Sequence, residues 1–337
     1  MDRGQALKSV AALLLSIALL LAAGCSSDED AQQGWVEDDV SFVADGLTIH
    51  GTYRHRHAAA PGPAALLISE SGQTDRNGDN AVAGPVGNMR QLAELLSGRG
   101  IASLRYDKVG TGKTGLGPYR QRPADVGSGV YSKGAAAAAR FLADESGTEK
   151  SRISVYALGE GTIHAMSLAS GTAVGAPKIH SLGLLQPLPG RYLDIITGRV
   201  RTDANPETLS TWLAAVDQVR TTGTAPANLP EGLGAILNPG NVKAVAEADK
   251  IDPLALAGRV PAGSPVLMTC SDSDQQANCA AERPLIDALK HTALTVVELK
   301  GVNHVLRDDP TDNIAAYAKQ DPLSAQLVTA LDGFVTK

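Results

Sequence analysis

The stretch SVYALGEGTIHA, Ser154–Ala165, governs how the rest of the chain is read. Its first half, Val155–Leu158, is a short continuous apolar run, the pattern of a strand buried on both faces of a parallel sheet. Glycines at 159 and 161 then break the run, and the residues that follow have helical character. Glycine takes a sharp backbone turn without steric penalty. The spacing therefore predicts strand, tight turn and helix, with Gly159 at the tip.

Working outward, the same grammar repeats. VSFVADGLTIHGTYRH (40–55) reads as two β-rich runs joined at Asp45-Gly46, a dipeptide that favours a hairpin turn. AALLIS (64–69), IASLRYD (101–107) and SLGLLQP (181–187) are further buried-strand runs. Between them, NMRQLAELLSGRG (88–100) and GAAAAARFLADES (134–146) have helical spacing. Strands alternating with helices imply a mostly parallel sheet with right-handed crossovers. The alternation lapses from about Pro187 to Pro261 into helix-like pieces, then resumes with SPVLMTC (264–270) and ALTVVELK (293–300). We expect an α/β core over 38–186 and 263–337, an N-terminal antiparallel hairpin, and an inserted helical cap over 187–262. Ligands of such sheets bind at the carboxyl ends of the strands.

At 337 residues and 43% apolar content the chain has material for one sizeable core. A net charge of −6 and no Lys/Arg cluster argue against a nucleic-acid partner. Arg3 and Lys8 precede an apolar run, Val10–Leu21, that is shorter than the roughly 20 residues a spanning helix needs. It leads into LAAGC, which resembles a bacterial lipobox. The implied organisation is an export signal over 1–24, a lipidated Cys25, and a flexible tether over 25–37. The protein is expected outside the cytoplasm, lipid-anchored to the cell membrane. In that compartment the two remaining cysteines, Cys270 and Cys279, are expected to close a small loop as a disulfide.

Four segments in order carry a resemblance. LRYDKVGTGKTG (104–115), ESGQTDRNGDN (70–80), DPLALAGRVPAGSPVLM (252–268) and KGVNHVLRDD (300–309) resemble the α/β-hydrolase superfamily. Within it they are similar to the capped EstD-type branch of bacterial carboxylesterases and serine-aminopeptidase-like hydrolases. The resemblance runs from about Val40 to the C-terminus. It implies an α/β-hydrolase fold and a small apolar ester or acyl ligand, and it implies no cofactor. No metal-ligand spacing such as H-E-x-x-H occurs.

Acyl transfer through a side chain needs a nucleophile, a base and an orienting acid, in the chain order Ser, Asp/Glu, His for this fold. Asp274 follows the strand VLMTC and His304 follows TVVELK, which are the acid and base positions that the resemblance implies. Asp272 is the rival acid. The resemblance places the backbone oxyanion donors at Ser71 and Glu160. It also shows two departures. Glu70 stands where the family has glycine, putting a carboxylate beside the anion hole, and the family's GHSEGG pattern falls on Ala157–Thr162, so Gly159 replaces the nucleophile. Loss of a serine nucleophile costs about 10⁶ in turnover. The expected function is therefore a pseudo-hydrolase that binds a ligand in its pocket. The alternative is an ester hydrolase in which His304 and Asp274 activate a water in the vacated space, or in which Ser71, Ser271, Ser273 or Glu160 substitutes. His164, on the helix after the turn, reads as a packed histidine.

Overall fold

The computed structural model describes residues 34–57, 60–70 and 72–335. The expected export segment 1–24, Cys25, most of the tether and Ser71 lie outside the described residues.

The chain opens with β1 (Trp35–Ala44) and β2 (Leu47–Arg56), paired antiparallel. Asp45 and Gly46 between them both have positive φ, 52° and 81°, as a two-residue primed turn requires. The remaining strands are β3 (Gly62–Ile68), β4 (Ala102–Tyr106), β5 (Thr148–Gly159), β6 (Ser181–Pro187), β7 (Pro265–Ser271) and β8 (Ala293–Leu299). Together they form one eight-stranded sheet in the order β1-β2-β4-β3-β5-β6-β7-β8. From β4 through β8 every neighbouring pair is parallel, and β2 joins β4 antiparallel.

The continuous apolar runs follow from burial on both faces. In β3, Ala64, Leu66 and Ile68 point into one cluster with α2 (Ser128–Asp144) and α3 (Gly161–Ala169). The intervening Ala65 and Leu67 point into a second cluster with α1 (Asn88–Ser97) and α10 (Ala325–Phe334). A solvated face would have enforced alternation with polar residues. Neither face of this strand is solvated.

Between β6 and β7 run five helices: α4 (Tyr192–Asp203), α5 (Pro206–Thr222), α6 (Glu231–Ile236), α7 (Val242–Lys250) and α8 (Pro253–Ala257). The first four share their own small core around Trp212, whose indole N–H donates to Thr197 Oγ1 at 2.9 Å. Asp249, buried at the end of α7, ties the group together by accepting from Arg191 and Arg220. The fifth helix differs, because Ala257 and the following Val260 belong to the main core beside α9 (Arg283–Leu289).

Candidate functional site

The site is built where β3 and β5 end side by side. Their register pairs Ile68 with Ala157, which brings residues two steps further on, Glu70 and Gly159, level with each other at the carboxyl edge of the sheet. Gly159 sits at φ 54°, in the left-handed region where a Cβ is strained. A Cβ there would fall 1.5 Å from Oε2 of Glu70 and 2.4 Å from its carboxyl carbon. The Glu70 carboxylate therefore occupies the volume that a side chain at 159 would fill. Gly161 allows the turn to pack closely, since a Cβ there would lie 2.8 Å from the carbonyl oxygen of Ile68. Thr162 completes the turn by donating to the Gly159 carbonyl at 2.6 Å.

His304 reaches the same point from the far side of the sheet. It follows β8 in a short turn, with its N–H donating to Asp312 at 2.9 Å and its ring only 2% exposed. Nδ1 donates to Oδ2 of Asp274 at 2.7 Å, and Nε2 donates to Oε2 of Glu70 at 2.9 Å. Burial disfavours the charged ring, but the two carboxylates more than offset it, so the His304 pKa lies well above its ordinary value. The ring is an imidazolium clamped between two carboxylates.

Asp274 is fixed by its own loop, where Oδ1 accepts from the N–H groups of Gln276 and Ala277 at 2.6 and 3.0 Å. Cys270 and Cys279 are disulfide-bonded and close that loop, with Cα atoms 4.9 Å apart. Asp272 faces elsewhere. It accepts from the Gly301 N–H at 2.8 Å and is half exposed beside Lys300.

The loop carrying Glu70 is anchored from below. Arg76 grips Asp107, with Nη2 at 2.8 Å from one carboxylate oxygen and its N–H at 3.0 Å from the other. Thus the segments 70–80 and 104–115 meet through a buried ion pair. Lys108 is 5% exposed, and its ammonium donates to the Glu70 carbonyl. Burial pulls the Lys108 pKa down, opposed by the charges of Glu160 and Glu70. Burial pushes Glu160 up, Lys108 counters this, and Glu70 adds to it. Glu160 stands at the start of α3.

Other candidates are not brought to the site. Ser271 donates to the Val302 carbonyl at 2.5 Å, and Ser273 donates to Asp272 at 3.2 Å. His164 is buried against Ser132 Oγ at 3.0 Å, with burial holding its pKa down at about 3. The vacant space expected above Gly159 for a water is filled by Glu70, so base catalysis by His304 requires that carboxylate to withdraw first. Sequence reasoning recognised the charge of Glu70 as a departure but missed where it goes. The two departures that the resemblance implies, a carboxylate at 70 and a bare glycine at 159, are complementary in volume.

A cavity of about 430 Å³ opens onto Glu70 and His304. Leu158, Val86 and Val305 give it an apolar lining, and Gln73, Asn80 and Gln276 add polar groups to its wall.

No family model matches the chain, and no curated protein matches it in sequence. Solved structures match it along almost its full length. An esterase of Pyrococcus furiosus, Pf2001, aligns over 93% of this chain and 95% of that one, at TM-score 0.55 and 14% identity. Est1E of Butyrivibrio proteoclasticus, solved with ferulic acid, aligns over 88% and 100%, at 0.55 and 16%. A dienelactone hydrolase of Anabaena variabilis aligns over 90% and 98%, at 0.53 and 12%. At such identities the likeness establishes the fold, which is that of the α/β hydrolases.

Proposed function

We propose that this protein is a carboxylesterase-like pseudo-hydrolase, a member of the capped EstD-type branch whose pocket binds a small ligand without hydrolysing it. The observation that carries the reading is the Glu70 carboxylate, seated in the elbow's side-chain volume and hydrogen-bonded to the base. Serine chemistry needs a hydroxyl at that point and a base nitrogen free to take its proton. Here glycine supplies no hydroxyl, and the base already carries a proton directed at Glu70. The fold neighbours include proteins named as esterases, which supports an ester-shaped pocket as the ancestral condition.

The same reading places the protein at the cell envelope, exported through residues 1–24 and held by a lipid on Cys25. Metabolic labelling with a fatty-acid analogue tests the anchor, and label that persists in Cys25→Ser removes it. Assay of short-chain nitrophenyl esters tests the function. The wild type and His304→Ala are expected to give equal, background rates, and a fluorophosphonate probe is expected to label neither. Turnover that disappears with His304 would replace this reading with a water-activating hydrolase.

A further inference from the structure

The cavity's two ends differ in chemistry. At the inner end lies the imidazolium of His304, holding Asp274 on one nitrogen and Glu70 on the other. At the outer end, Val82 and Ile314 line the cavity while remaining 83% and 50% exposed. Val82 and Ile314 give the mouth of the cavity apolar surface against which an aliphatic chain can pack. Between the ends run Val86, Val305 and Leu158, all buried.

Glu70 itself is well suited to exchange. Its carbonyl is held by Lys108 and its loop by the Arg76–Asp107 pair, so the backbone stays in place when the side chain rotates. The side chain is 16% exposed, at the cavity wall, with Gly72 in the left-handed region close behind it. An incoming carboxylate keeps a charge-assisted hydrogen bond on the ring, because one anion replaces another on the same nitrogen. A neutral alcohol or ester head forfeits the charge-assisted hydrogen bond and leaves Asp274 as the ring's only direct counter-ion. Helix α3, nine residues long, starts directly below this point without a side-chain cap and adds its positive end to the preference for an anion.

We infer that the pocket takes an amphipathic monocarboxylate whose head displaces Glu70 from His304 and whose apolar tail leaves between Val82 and Ile314. Glu70 is then a built-in competitor that occupies the head-group position when no ligand is bound. This inference rests on the non-hydrolytic reading given above and names its ligand class.

Calorimetric titration of the purified protein with octanoate and with 1-octanol tests it. Removing the internal competitor in Glu70→Ala is expected to tighten octanoate binding by about tenfold or more. Adding His304→Ala is expected to abolish that gain, while octanol binding stays the same in all variants. Glu70→Gln keeps the side chain's bulk, guards against a packing artefact, and is expected to tighten octanoate binding in the same direction. Octanoate affinity unchanged by both Glu70 substitutions, or octanol bound as tightly as octanoate in Glu70→Ala, overturns the inference. Hydrolysis of an octanoyl ester that depends on His304 would instead overturn the non-hydrolytic reading, with the octanoate series still deciding the ligand.

Discussion

Oε2 of Glu70 and the Cα of Gly159 are arranged so that no side chain fits at 159 while Glu70 stays where it is, since a Cβ would lie 1.5 Å from that oxygen. Placing a nucleophile at 159 therefore takes two changes. In Gly159→Ser the hydroxyl must evict Glu70 and also accept φ 54°, a strain of about 1–3 kcal/mol. The single variant is expected to be no better an esterase than the wild type and to melt at a lower temperature. The double variant Gly159→Ser/Glu70→Gly frees Nε2 of His304 to act as a base. We expect it to exceed the single variant by about 10²-fold in nitrophenyl ester turnover, a fraction of the roughly 10⁶ a nucleophile provides. Equal rates in the two variants would mean that Glu70 is not the obstruction.

The charge state of His304 makes the site sensitive to pH. Burial works against the imidazolium, and the Glu70 and Asp274 carboxylates outweigh it, Glu70 foremost. Because the folded pKa lies above the unfolded one, the stabilisation is fully present below about pH 6.5 and is lost as pH rises through the folded value. Glu70→Gln removes the leading stabiliser of the proton. The His304 ring resonances, followed by NMR, are expected to titrate at a lower pH in that variant, and the alkaline fall in melting temperature is expected to begin earlier. Identical titration in both proteins would show that Glu70 does not hold the proton in place.

Most of this architecture was legible because it is written in local patterns. The both-face burial of β3 and β5 follows from uninterrupted runs such as Ala64–Ile68, and the hairpin turn follows from Asp45-Gly46. Asp274 and His304, each just past a strand, are the acid and base positions that the resemblance implies, and the fold brings them within 2.7 Å of each other. Glu70 was not, because its role depends on the lateral register of Ile68 with Ala157, which no single segment encodes. Lys108 was hidden for a similar reason: a lysine in a loop reads as a solvated charge until the fold buries it beneath a carbonyl. Nor does the sequence of α8 say which core that helix joins; the fold packs its Ala257 into the main one.

The disulfide holds the acid. Cys270 and Cys279 bracket Asp274, and the carboxylate takes two backbone N–H groups from inside the closed loop. Opening a loop of about ten residues is expected to destabilise the fold by ~2–3 kcal/mol through the unfolded chain alone. Cys270→Ala/Cys279→Ala is therefore expected to show a lower urea midpoint than the wild type under non-reducing conditions. With reductant the gap should close as the wild-type bridge opens. A double variant as stable as the oxidised wild type would rule out a stabilising role.

A second buried acid lies near the first. Glu282 is fully buried at the start of α9, and neither carboxyl oxygen has a hydrogen-bond partner among the described residues. Burial, with the charge of Asp274 adding to it, pushes its pKa up to about 9, so it is neutral in the folded protein at neutral pH. Its ordinary value is 4.5, and the unfolded chain ionises there. The sign follows directly: its contribution is intact below about pH 4.5 and is lost as pH climbs towards 9. At pH 7 the deficit is on the order of 3 kcal/mol. Glu282→Gln cannot ionise and keeps the side-chain shape. Urea denaturation is expected to give nearly equal stabilities for variant and wild type at about pH 5, with the variant clearly the more stable at about pH 8. A constant difference between the two across that range would mean that Glu282 keeps its charge in the folded state and that some unseen group compensates it.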